Sequence, residues 1–383
     1  MPFIPAELND YIIDFLHDDR ATLKACGLVS RTWYPAAHYH LYRKVFLLSF
    51  QSCITYRSLL ETSPTLGSFT HDVKISNALP LTPCNKVQTD NARHELGICW
   101  AFVFPALTAI TRLELSFLVM HPALVSNVVQ NLFTLTDLSL QYCRFDCFSD
   151  FATIFCSFPA LQSCVLRGVS WTNPPANAHT TNPSAGTNLV CPCLTNLNLG
   201  RDLPLEELSQ WLLAQNACTG LVQFTGNCSS ERDALLIGEL MQSASTSLKQ
   251  VELDWYSSSY NDVHLPFGFA LGPCTSLETL SLRCPIALHS TVPWVTSLLA
   301  QVNPARLKSF NLEIRLLGSL DDGLDWASLE SRLLRKEFSR LTTVDVKVLV
   351  WHTASGIYDG VECAIRRLLP SLNAKGLLRA RCH

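Results

Sequence analysis

Three groups of side chains in this 383-residue sequence are of types that could do chemistry. Cys191 and Cys193 flank a proline in CPCLTNLNLG, Cys143 and Cys147 stand four apart, and His38 and His40 stand two apart. A structural zinc site draws its ligands from Cys-x-x-Cys or similarly spaced pairs, and no Cys-x-x-Cys occurs among the 16 cysteines. Positions two apart on a helix diverge by about 200°, so His38 and His40 cannot serve one ligand together. Cys143 and Cys147 share a face only if their segment is helical. The sequence also lacks a Gly-x-x-x-x-Gly-Lys phosphate loop, Gly-x-Gly-x-x-Gly, Gly-x-Ser-x-Gly and His-Glu-x-x-His. The expectation is a chain that is not an enzyme and takes no cofactor and no metal; a thiol-dependent enzyme is the distant alternative.

The elements that would position these residues come from a repeat. The pattern Leu-x-x-Φ-x-Φ, with Φ apolar, recurs nine times, in ITRLEL (110), LTDLSL (135), LQSCVL (161), LTNLNL (194), LVQFTG (221), LKQVEL (248), LETLSL (277), LKSFNL (307) and LTTVDV (341). A weaker copy, THDVKI, begins at 70. The last positions alternate apolar and polar as in a half-buried strand. The intervening stretches carry helical stripes. In PLEELSQWLLAQN, Pro204 suits a first helical position and Leu205, Leu208 and Leu212 share a face; Ser230 suits an N-cap ahead of Ala234, Ile237 and Met241. Strand, turn, helix and return make a leucine-rich repeat. The usual Asn or Cys three residues after the last leucine is met only by Cys143, which predicts an irregular solenoid without an asparagine ladder.

The repeat also gives the cysteines a place. Cys191, Cys218 and Cys274 fall three residues before a repeat, in a column otherwise filled by Leu107, Leu132, Phe158, Ser245, Pro304 and Phe338, mostly apolar or small. That register predicts buried structural thiols.

Hydrophobic residues make up 48% and charged residues only 16% of the chain, which calls for apolar surface hidden in an extensive core or along a partner. A net charge of -3, with both signs scattered, gives no footprint for nucleic acid or an anionic membrane. Glu7, Asp10 and Asp14 interrupt the N-terminal apolar stretch, which therefore does not read as a signal peptide. The expected location is cytoplasmic, nuclear or both, and not secreted.

Residues 4–45 follow another logic. Pro5 fits a first helical position, with Leu8, Ile12, Phe15 and Leu16 on one face; a second short helix carries Leu23 and Cys26 and ends near Gly27; Ser30 suits the N-cap of a third, with Trp33, Ala37 and Leu41 recurring. So small a helical module wants a partner. The segment resembles an F-box. Ile4-Pro5-Ala6-Glu7 matches the family's Leu-Pro-x-Glu with Ile for Leu, Val29-Ser30-Arg31-Thr32-Trp33 matches VS-x-x-W, and Leu41-Tyr42 ends the motif with Tyr for the commoner Trp. The resemblance implies docking on the S-phase-kinase-associated adaptor of an SCF-type cullin–RING ubiquitin ligase. By position, Pro5, Leu8, Ile12, Leu16, Val29 and Trp33 would provide the adaptor-facing or supporting surface, although any of them could instead pack the three helices together. His38 and His40 become partly exposed surface of that module.

The sequence-based architecture is α/β: a three-helix F-box-like domain at 1–47, an irregular leucine-rich repeat solenoid at 48–358 with a parallel concave sheet and convex helices, and a capping helix and tail at 359–383. TNPPANAHTTNPSAGTN (172–188) and SNALPLTPCNKVQTDNARHE (76–95) read as loops. The strand residues between the apolar ones would form a mixed polar face, more acidic toward the C-terminal half. It suits a protein substrate, with Arg112, Glu114, Arg167, Asn198, Glu252, Asp254, Arg283, Asn311 and Asp345 as candidate contacts. The expected function is substrate recognition within the ligase; the alternative is a leucine-rich repeat interaction scaffold without ligase association.

Overall fold

The computed structural model describes residues 6–76, 100, 103–173, 191–256, 271–286, 294–303, 305–316, 320, 324–350 and 360–382. The chain divides into two compact units, Met1–Pro192 and Cys193–His383.

The first unit opens with three helices, α1 (Ala6–Phe15), α2 (Arg20–Val29) and α3 (Tyr34–Arg43). Asp19 starts α2 by accepting hydrogen bonds from the backbone N–H groups of Ala21 and Thr22. The helix runs through Gly27 to Val29, past the end expected from the sequence. Ser30 caps the C-terminus of α2 rather than the N-terminus of α3, and Trp33 holds the latter position. Ile13, Leu23, Cys26, Ala37 and Leu41 form the small core, with Leu16, Trp33, Ala36 and Tyr42 packed against it.

β1 (Lys44–Leu47) continues directly from α3 and begins a parallel sheet inside the segment read as the helical domain. After α4 (Phe50–Thr62) and α5 (Leu66–Phe69), β2 (Asp72–Ser76), β3 (Arg112–Ser116), β5 (Asp137–Gln141) and β7 (Ser163–Arg167) add to it in order. Leu113, Leu115, Leu138, Leu140, Cys164 and Leu166 turn inward and are buried. A second parallel ribbon of short strands, β4 (Val119–Met120), β6 (Arg144–Cys147) and β8 (Ser170–Asn173), was not expected, and β8 takes the start of the stretch read as a loop. The rest of that loop, and nearly all of 76–95, lies outside the described residues. The turn into each short strand holds a residue in the left-handed region, namely Phe117, Tyr142 and Gly168 at φ 57°, 53° and 58°. The Phe117 and Tyr142 rings stack at 5.0 Å, and a Cβ on residue 168 would meet Tyr142 Cδ1 at 2.4 Å, so glycine is required there. Helices α6 (Pro122–Asn131) and α7 (Phe148–Cys156) pack against each other and bury Val128, Phe151 and Phe155.

The second unit is a parallel sheet of β9 (Asn196–Leu199), β10 (Gln223–Cys228), β11 (Gln250–Trp255), β12 (Thr279–Ile286), β13 (Ser309–Leu316), β14 (Thr343–Val350) and β15 (Leu378–Cys382). Its described helices are α8 (Leu205–Ala214), α9 (Glu231–Ser243), α10 (Trp294–Gln301), α11 (Trp326–Leu333), α12 (Val361–Leu368) and α13 (Pro370–Ala374). The repeat leucines of the sheet are buried, from Leu197 through Leu312 to the valines of β14. Ser230 caps α9 in a reciprocal box with Asp233. Pro204 is the N-cap of α8, one residue ahead of its expected position. The single capping helix expected at the C-terminus is broken before Pro370, and Glu330 of α11 accepts from the Ser371 and Leu372 N–H groups that open α13. In place of the expected tail the chain forms β15, a full strand parallel to β14. The fold is thus an α/β leucine-rich repeat architecture, with parallel strands and helices alternating along the chain. Among the described residues no helix is long and apolar enough to cross a membrane.

Candidate partner-binding surfaces

On α1, period 3.6 allows one side to face the core. Ile13 at 0% and Asn9 at 7% exposure take that side, and Trp33 Nε1 donates to Asn9 Oδ1 at 3.0 Å, so the buried amide is satisfied. The apolar stripe visible in the sequence is the other one: Leu8, Ile12 and Phe15 are 52%, 42% and 69% exposed. At the end of α2, Leu28 and Val29 are 90% and 71% exposed. Of the six adaptor candidates, Leu8, Ile12 and Val29 therefore face solvent, Leu16 and Trp33 are half-buried supports of the small core, and Pro5 lies outside the described residues. The His38 ring lies against Tyr34, with centroids 3.7 Å apart and the planes tilted by 31°, and burial lowers its pKa; His40 Nε2 lies 2.7 Å from Asp14 Oδ1. The two imidazoles go to different neighbours, as their spacing requires.

The polar face of the first unit's sheet carries Arg112, Glu114 and Arg167. Register places Phe46, Lys74, Glu114, Ser139 and Val165 in one row. Lys74 pairs with Glu114 at 2.6 Å, Arg112 Nε with Asp72 at 2.7 Å, and Gln141 donates to Glu114 at 3.1 Å. Arg167 is exposed. A groove of about 290 Å³ runs across this row, with the half-exposed Phe46 at its edge.

In the second unit the middle row reads Asn198, Thr225, Glu252, Ser281, Asn311, Asp345 and Arg379, strand by strand. The next row reads Asn227, Asp254, Arg283, Glu313, Lys347 and Arg381. Arg283 bridges Glu252 at 2.6 Å and Glu313 at 3.5 Å, Lys347 reaches Glu313 at 3.2 Å, Arg381 pairs with Asp345, and Asn311 donates to Ser281 at 2.9 Å. Contrary to expectation the face is not more acidic toward the C-terminus, because Arg315 on β13 and Arg379 and Arg381 on β15 bring matching positive charge. Asp254 also departs from the expected exposed contact. It is 5% exposed, held by Arg315 Nη2 at 2.9 and 2.8 Å from its two oxygens and by Arg201 at 3.4 Å, while Arg201 lies over the Tyr256 ring at 3.9 Å. It anchors the face instead of presenting a contact. The other eight substrate candidates lie on the polar faces of their own units' sheets. A groove of about 240 Å³ lies along Arg283, Asn311, Glu313 and Lys347.

The thiols sort by burial. Cys143, at the one repeat position expected to hold Asn or Cys, donates to Leu115 O at 3.3 Å, and burial pushes its pKa up to about 12. Cys218 and Cys274 are buried, as their column predicts, with pKa values pushed up to about 12 and about 11. Cys191 departs from the column. It is partly exposed, and its Sγ stands 3.2 Å from Cys156 Sγ, a partner that sequence spacing did not suggest. Cys147 belongs to β6 and caps α7, so Cys143 and Cys147 do not share a helix face.

No protein-family model and no curated protein matches the chain. Solved structures do match. One is a crystal structure of a TLR13–ssRNA13 complex, with 13% identity and a TM-score of 0.35. The match covers 79% of this chain and spans 36% of that one.

Proposed function

We propose that the chain is the substrate-recognition subunit of an SCF-type cullin–RING ubiquitin ligase, docking through its N-terminal helices on the S-phase-kinase-associated adaptor and holding a protein substrate on its repeats. The observation that carries this reading is the outward stripe of α1 together with the end of α2. Leu8, Ile12, Phe15, Leu28 and Val29 are each at least 42% exposed, on a module whose own core is complete without them. So many large apolar side chains left exposed on so small a module mark a surface that a partner covers. Leu8, Ile12 and Val29 are also positions that the F-box resemblance assigns to adaptor docking. In this reading the chain supplies no reactive group; it raises the effective concentration of a bound protein near the ubiquitin-charged enzyme.

The test is co-purification of the full chain with the adaptor, beside Ile12→Asp and Val29→Asp. Both side chains are exposed, so the variants keep their circular dichroism. Wild type carrying adaptor stoichiometrically, and both variants losing it, supports the proposal. A folded wild type that never retains adaptor sinks it. The polar sheet faces then favour the second reading, a repeat scaffold for protein partners.

A further inference from the structure

We infer that Cys156 and Cys191 form a built dithiol site that peroxide converts to an intramolecular disulfide. Cys156 is the last residue of α7 and is 4% exposed, whereas Cys191 lies outside any helix and is open enough to meet a small oxidant. Their sulfurs, 3.2 Å apart, must close by about 1.2 Å to reach the disulfide length of about 2.0 Å. Both residues belong to the same compact unit, so the approach involves no other part of the chain.

The surroundings separate this pair from the other thiols. Burial pushes Cys143, Cys218 and Cys284 up to about 12, where the nucleophilic thiolate is scarce. Cys156 is shifted the other way: the hydrogen bond shared with Cys191 stabilises the thiolate and outweighs the opposing effect of burial. The first proton therefore belongs to the pair and leaves it more readily than it would leave an isolated buried thiol.

The reaction balances with hydrogen peroxide as oxidant. The shared hydrogen bond lets the pair's remaining proton sit on Cys156, and the accessible Cys191 sulfur, then the thiolate, attacks one peroxide oxygen; the O–O bond breaks, and the departing hydroxide takes a proton to become water. Cys191 is then a sulfenic acid. The Cys156 sulfur attacks the Cys191 sulfur, the S–O bond breaks, and a second water leaves with the Cys156 proton. Two thiols are oxidised to one disulfide, and one peroxide is reduced to two waters. The bond ties the end of α7 to residue 191 and closes a ring that contains β7, and with it Val165 and Arg167 of the polar face.

The experiment uses the full reduced chain, limiting hydrogen peroxide, an alkylating quench and peptide mapping by mass spectrometry. Because the two sulfurs are held in contact, the 156–191 linkage is expected in about tenfold excess over any other linked pair. Cys191→Ser removes the linkage, and the same oxidation in concentrated urea loses the preference because the geometry is gone. The inference is overturned if Cys191 accumulates as sulfinic acid without linkage, if exposed Cys193 or Cys363 links first, or if the preference survives in urea.

Discussion

Replacing Asp254 by alanine tests whether the polar face of the second unit is held together from beneath. The carboxylate sits at 5% exposure and takes two hydrogen bonds from Arg315, at 2.9 and 2.8 Å. Removing one member of a fully buried ion pair costs about 3–5 kcal/mol, because the remaining charge loses both water and partner. Here the Arg315 side chain keeps 21% and Arg201 35% exposure, so both can be partly rehydrated, which places the loss near the lower end, about 3 kcal/mol. Glu252 provides the comparison on the same strand: it pairs with Arg283 at 2.6 Å, but their side chains are 31% and 39% exposed, which limits the pair to about 0–1 kcal/mol. In a repeat stack each strand depends chiefly on its neighbours, so the loss appears locally and native-state hydrogen exchange is the suitable readout. Asp254→Ala should speed exchange in β11 and β13 by about a hundredfold, since each 1.4 kcal/mol is a factor of ten, and Glu252→Ala by less than about fivefold. Arg315→Met, which keeps the apolar stem, should recover part of the loss when added to Asp254→Ala, because no buried cation is then stranded. Equal exchange in the two single variants, or strict additivity in the cycle, would refute the assignment of Asp254 as the anchor.

Three further outcomes are expected. Gly168→Ala forces a Cβ to within 2.4 Å of the Tyr142 ring at φ 58° and should destabilise the first unit by about 1–2 kcal/mol in thermal unfolding, while Gly360→Ala, with no atom within 4 Å, changes little. Asp19 and Asp325 have pKa values held below the carboxylate norm by side-chain hydrogen bonds from Thr22 and Ser328, then by backbone ones. A lowered folded pKa stabilises above the ordinary value of about 4 and loses that contribution as pH falls through the lowered one, so exchange protection at Thr22 and Ser328 should hold at about pH 5 and fall away below about pH 4; flat protection would count against it. At pH about 8, a short pulse of iodoacetamide on the native chain should modify exposed Cys193 and Cys363 and spare Cys143, Cys218 and Cys284, whose pKa values are pushed up to about 12; early labelling of the buried three would contradict their placement.

The nine repeat strands could be read from the sequence because alternation is a local signal that burial on one side writes into each strand. Strands β4 and β15 could not. β15 buries only Ala380 among LRARC, and β4 is two residues long, so neither carries a hydrophobic period. The entry to β4 and β6 also depends on Phe117 and Tyr142 adopting a left-handed backbone, which bulky residues seldom do and which composition does not announce. On α1 the sequence shows an apolar stripe without showing which way it turns. A stripe made for a core and one made for a partner are the same pattern, and what distinguishes them is Asn9, a polar residue on the buried side whose amide is satisfied by Trp33, 24 residues away.

The candidate faces show the same limit in electrostatic form. Alternation puts Asp254 on the polar side of β11, and that placement is correct as far as it goes. Its burial is decided by Arg315, 61 residues later and two strands across, and by Arg201, 53 residues earlier. Arg315 reaches it because β13 is eight residues long, extending the polar row beyond the six-residue repeat; the continued alternation in SFNLEIRL was the signal available for that extension. Arg379 and Arg381 enter only once β15 is recognised as a strand. A face whose charges pair across strands presents alternating potential with little net sign, so a partner matching it gains register and orientation more than long-range attraction. Under the proposed function, substrate binding on that face should accordingly depend weakly on bulk salt, while charge reversal at Arg283, which bridges Glu252 and Glu313, should alter it strongly.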